Sequence, residues 1–331
     1  MKLKKLIVTA LVVTLAFSAA ACGRKAPVQE APPQDQTRVF VDSLGREVEI
    51  PAEINAVSPT GPLSQAVLYT ACPDKLVGLA VDFTEEAKRL LDEKYWNMPI
   101  FGQFYGKNAN LNLEAIIAEN PDVIVDIGQV KKTSMEDLNG LQEQLNMPVV
   151  FINAATMDTL PEMYLKLGEL FGDEEEMKVL SDYCKDVLDK ADAVRASLSK
   201  DELVTVYHAS GDVGLHTNAR GSFHGEILDE AGVVNVADVD IATTGTSSEV
   251  SMEQLILWNP QIIVTDRPDL YELITTDKTW GTLDAVKNGR VYKIPSAPYN
   301  LLGNPPAVNR ILGTLWIGSL AYPKQYGIDM T

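Results

Sequence analysis

Positive charge is scarce in this chain: 28 lysines and arginines face 46 aspartates and glutamates over 331 residues, a formal net charge of −18. Such a surface repels nucleic acid and anionic lipid headgroups, and it suits a basic protein partner. Cysteine is rarer still, with only Cys22, Cys72 and Cys184 and no CxxC pair. Cys72 falls in a turn after a helical stretch and Cys184 on a long helix, so two unpaired thiols are expected. The strings that announce common catalytic machinery, GxSxG, HExxH and GxxxxGK[ST], are missing. Ser222 and His224 stand two apart on one loop, where triad geometry is hard to reach. No enzyme, no catalytic residue and no cofactor is therefore expected; an extracellular enzyme and an adhesive lipoprotein are the remote alternatives.

One long apolar run is present, Leu6 to Ala21, and it is too short to span a bilayer comfortably. Lys2, Lys4 and Lys5 precede it and small residues close it, as in a secretory signal over residues 1–21. The sequence Ser18 to Cys22 resembles a bacterial lipobox, with Ala19 where leucine is favoured, which implies lipidation at Cys22. Residues 22–38 contain three prolines and little to bury, the composition of a flexible tether. The expected location is extracytoplasmic, anchored to the cell membrane.

From Gly172 to Lys200 the chain reads as one long helix. Met177, Leu180, Tyr183, Cys184, Val187, Leu188, Ala191, Val194 and Leu198 recur at helical spacing, acids crowd the start and Lys190, Arg195 and Lys200 the end. On either side lies a repeat. Residues 112–125, NLEAIIAENPDVIV, return 139 positions later as 251–264, SMEQLILWNPQIIV, with six of fourteen positions identical. Each copy reads as an N-cap (Asn112, Ser251), a short helix, an Asn-Pro turn and a buried strand. The helix therefore joins two lobes of similar build, residues 39–171 and 201–331.

The first lobe opens with a hairpin turning at Leu44–Gly45. Strands are expected near 56–57, 76–81, 100–101, 123–125 and 149–152, with helices near 64–70 and 85–91. The second lobe has strands near 204–207, 262–264 and 291–294 and a closing helix near 307–320. Such alternation makes parallel sheets covered by helices, an α/β fold whose ligands collect beyond the carboxyl ends of the strands. The loops there carry Ser58, Thr60, Phe104, Tyr105 and Lys107 in the first lobe. In the second they carry His208, His216, Arg220, His224, Arg267 and Tyr299. All three histidines lie within seventeen residues. They suit either a metal or haem site or, with Arg220, an anion site. Phe223 adds to the aromatics that could wall a planar ligand, and Lys131 and Lys132 are further cations, read more readily as solvated charge.

The opening hairpin VFVDSLGREVEIP, the paired repeat and the tail WGTLDAVKNGRVYKIPSAPYN together resemble the substrate-binding lipoproteins of ABC importers for ferric siderophores, haem and vitamin B12. The resemblance covers about residues 39–323 and implies two Rossmann-like lobes bridged by one long helix, with the ligand between them. It implies as partners a permease with its ATPase and a small metal chelate, a ferric siderophore first and haem or cobalamin next, for a monomeric receptor. It also implies that Glu114 and Glu253, one per lobe, meet arginines of the permease. The stretch HTNARGSFHGEILDEAG with PPAVNRILGTLW is similar to a subgroup that includes molybdate and tungstate binders. Leu301, Leu302, Gly303 and Asn304 depart from that subgroup's aromatic and charged pair.

Overall fold

A computed structural model describes residues 36–242, 247–328 and 330. The signal, Cys22 and most of the tether lie outside the described residues. Strand β1 (Thr37–Val41) takes in Thr37 and Arg38, two residues assigned above to the tether, and pairs with β2 (Glu47–Pro51). Asp42 and Arg46 brace their turn: Asp42 accepts from the Arg46 side chain at 2.9 Å and from Phe151 N at 3.1 Å. The hairpin is thereby fastened to the first lobe.

That lobe contains β3 (Val57–Pro59), α1 (Pro62–Ala71), α2 (Leu113–Glu119), β4 (Val123–Gly128), α3 (Ser134–Leu145), β5 (Val149–Asn153) and α4 (Leu160–Phe171). Strands run parallel in the order β3-β4-β5, with Val57 beside Val123 and Ile124 beside Val149. The strand expected over 76–81 is reduced to bridges at Leu76 and Leu79. Between them Gly78 lies under the Phe101 ring, where a Cβ would sit 2.2 Å from ring carbons. The helix expected over 85–91 ends at Lys88, and a second short helix starts at the Asp92 cap.

The linking helix α5 (Glu174–Ser197) has 24 residues. At ~1.5 Å per residue it runs about 36 Å. It is shorter than 172–200 because Gly172 closes α4 and Leu198 is extended, leaving Lys200 in a separate turn. Its buried residues are Met177, Ser181, Cys184, Val187, Leu188, Ala191 and Val194, a helical spacing that places Ser181 inward. Tyr183, expected on that face, is 46% exposed. Cys72 and Cys184 are free and buried, and burial pushes both thiols up to about 12.

The second lobe contains β6 (Thr205–His208), α6 (Glu226–Glu230), β7 (Val234–Asn235), α7 (Met252–Trp258), β8 (Ile262–Thr265), α8 (Pro268–Thr276), β9 (Val291–Lys293) and α9 (Asn309–Ala321). Its parallel sheet has the order β9-β8-β6-β7. Strand β7, two residues long, was not legible as a strand. Helix α9 begins at Asn309 rather than Ala307, since Ala307 and Val308 form the turn that follows Pro305 and Pro306. The fold is α/β, two Rossmann-like lobes bridged by one long helix. One apolar core, including residues of β4, α4, α5, α9 and β8, runs through both lobes.

Candidate functional site

Among the described residues, two side-chain hydrogen bonds cross between the lobes beside the apolar contacts. Gln65 on α1 donates from Nε2 to the Tyr299 hydroxyl at 3.3 Å, and its Oε1 accepts from Ala80 N and Val81 N at 2.7 and 3.0 Å. On the other side, Glu226 Oε1 accepts from Met157 N at 3.0 Å. A cavity of ≈ 360 Å³ opens beside this second contact, lined from the first lobe by Gln129 and Thr156 and from the second by Phe223, Glu226, Asp229 and Glu230. Burial raises the carboxyls of Asp229 and Glu230.

At the end of β6, Asn218 Nδ2 lies 3.2 Å from His208 Nδ1 and also reaches the His224 carbonyl at 3.4 Å. The amide is therefore the donor, and neutral His208 carries its proton on Nε2. That Nε2 is buried and has no partner among the described residues. Burial depresses the His208 pKa, with Asp266 opposing and His224 reinforcing the shift. His224 is depressed likewise, by burial first and then by the nearby Arg310 charge.

Arg310, on α9, is fully buried. Its Nη1 donates to Glu226 Oε2 at 2.7 Å and to the Phe223 carbonyl at 3.3 Å, and the guanidinium lies 5.0 Å from the Phe223 ring centre. Its Cδ packs on Gly303, where a Cβ would stand at 2.9 Å. Nε and Nη2 are buried with no partner among the described residues. These two N–H groups form one edge of the guanidinium, the fork that takes two oxygens of a single anion. A buried cation with its fork unpaired costs several kcal/mol unless a ligand satisfies it, on the order of the penalty for breaking a buried pair.

Among the residues singled out from sequence, the structure brings His208 and His224 into this group. His216 is held apart, its backbone paired with Ser210 and its ring packed on Gly211. Arg220 binds the Asn235 carbonyl through Nε and Nη2 at 2.8 and 2.5 Å and fixes the end of β7. Arg267 forms half-exposed ion pairs with Asp212 and Asp269 at 2.8 and 2.5 Å. Tyr299 joins Tyr69 and Phe83 in an edge-to-face group, with ring centres 6.2 and 5.6 Å away.

In the first lobe Ser58 and Thr60 are buried. The Thr60 hydroxyl donates to Asp126, whose carboxyl is raised chiefly by burial. Phe104 and Tyr105 stack edge to face at 4.7 Å, and Lys131 Nζ sits 3.2 Å over the Tyr105 ring. Lys131 is exposed as a residue, but partial desolvation of its ammonium lowers its pKa. Lys107 and Lys132 are exposed, as are Glu114 and Glu253 near the starts of α2 and α7. No three His, Cys, Asp or Glu side chains gather as metal ligands among the described residues.

Sequence reasoning placed Asp126 on a strand-end loop but missed Arg310, Glu226 and Gln65. A signal existed for the first: Arg310 is the only charge in the apolar stretch from Ala307 to Tyr322.

Among the described residues no helix is long and apolar enough to cross a membrane. Residues 105–298 match the family described as periplasmic binding protein. The molybdate-binding protein MolA of Haemophilus influenzae is 27% identical, over 98% of this chain and 92% of that protein. The Fe(3+)-citrate-binding protein YfmC of Bacillus subtilis is 27% identical over 66% of this chain and 61% of its own length. An ABC transporter solute-binding protein of Sulfurospirillum deleyianum superposes with a TM-score of 0.79 at 30% identity, covering 88% of this chain and 91% of that one. The chain belongs to the periplasmic binding protein family and is the extracytoplasmic substrate-binding component of an ABC importer.

Proposed function

We propose that the cargo is a small tetrahedral oxyanion of the molybdate class, held between the lobes by the Arg310 fork with His208 and His224. The observation that carries this reading is the fully buried guanidinium whose Nε and Nη2 have no partner among the described residues. A tetrahedral oxyanion offers two oxygens to that fork and others to imidazole N–H donors. Neutral His208 supplies one such donor at Nε2. The similarity to MolA supports the same class.

The protein is a monomer tethered through lipidated Cys22 and delivers this cargo to its permease, with Glu114 and Glu253 as the docking acids. Two exposed acids at equivalent points of two related lobes suit a two-fold transporter dimer. An iron chelate, the first expectation from sequence, is the second reading, favoured by the Tyr69, Phe83 and Tyr299 rings at the Gln65 contact.

A melting panel with molybdate, tungstate, a ferric siderophore, haem and cobalamin separates the two. At a hundred times its Kd the true cargo stabilises the fold by ~2.7 kcal/mol. The expected result is a rise with molybdate or tungstate and none with the chelates. A rise with a ferric chelate alone reverses the reading.

A further inference from the structure

Glu226 is the first residue of α6, in the second lobe, and both of its carboxylate oxygens are engaged. Oε2 accepts from Arg310 Nη1 at 2.7 Å, and Oε1 accepts across the cleft from Met157 N at 3.0 Å. Met157 opens the helical turn Met157–Thr159 that leads into α4, so its N–H belongs to the first lobe. One carboxylate thus holds the cargo-facing guanidinium from behind and the opposite lobe from the front. Arg310 cannot simply swing away, since Gly303 and Phe223 fix its stem and its plane.

We propose that Glu226 is a positioning residue that couples occupancy of the Arg310 fork to contact between the lobes, so that bound cargo keeps the Met157 amide closed and release frees it. The inference rests on the oxyanion reading of Arg310. In the isosteric Glu226→Gln variant the amide has one acceptor oxygen, while both partners are donors, so one of the two contacts must be lost. A residue serving only as a counter-ion would change stability in that variant without changing how cargo affects the other lobe.

The test is hydrogen exchange of the Met157 amide in the full chain, read with and without molybdate at a hundred times the Kd of each protein. If opening at Met157 requires cargo release, exchange in the wild type slows by about a hundredfold, the factor by which that excess suppresses the open form. In Glu226→Gln the slowing is expected to fall below about twofold. Equal slowing in both proteins overturns the coupling. So does no slowing in the wild type, an arm that decides the matter even if the variant does not fold. Absence of any wild-type melting shift with molybdate or tungstate instead overturns the oxyanion reading, and the coupling with it.

Discussion

In α2 the Asn112 side chain accepts from Ala115 N at 3.1 Å, and in α7 the Ser251 hydroxyl accepts from Gln254 N at the same distance. Both helices end on an asparagine in the left-handed region, Asn120 at φ 47° and Asn259 at φ 42°, and each continues into a buried parallel strand. Past that point the lobes diverge. Strand β4 carries the buried carboxyl of Asp126, and its counterpart on β8 is Thr265. The second lobe instead gathers donors, His208, His224 and Arg310. A repeated scaffold fixes where the strands end, and the side chains at matched positions differ: an acid on β4, a hydroxyl on β8.

Three changes break or sharpen that comparison. The largest effect is expected where the copies keep the same residue, at the exposed acids proposed for docking. Glu114→Ala and Glu253→Ala each weaken uptake and the double change removes most of it, while cargo affinity of the free protein stays the same; a fall in that affinity would place these acids in the cleft or the core. Next is the coupling through Glu226, confined to one side of the cleft. The smallest effect is at the caps: Asn112→Ala and Ser251→Ala each cost about 1 kcal/mol. That lowers Tm by about 2–4 °C in a body of this size, and equally in the two lobes. Unequal losses in thermal melts would mean that the matched geometry hides different surroundings.

Much of this scaffold was legible because its signals are local. Asn112, Ser251 and the two Asn-Pro turns state helix starts and stops within a few residues, and the α5 stripe states its own period. Tyr183 and Ser181 show the limit, since a few residues of drift on a helix exchange an inward for an outward position. The site was less legible because its decisive contacts are distant in sequence. Arg220 and Arg267 read as free cleft cations until Asn235, Asp212 and Asp269 are brought beside them. Arg310 reads as an oddity of an apolar helix until Glu226, 84 positions earlier, meets one of its nitrogens, while two others stay unpaired among the described residues.

The central claim, that a guanidinium fork rather than mere positive charge holds the cargo, is tested most directly by Arg310→Lys. Lysine keeps the charge and can still face Glu226, but offers a point donor in place of the fork. Molybdate titrated calorimetrically into this variant is expected to bind about a hundredfold more weakly than to the wild type. Wild-type affinity in a folded Arg310→Lys protein would contradict the account.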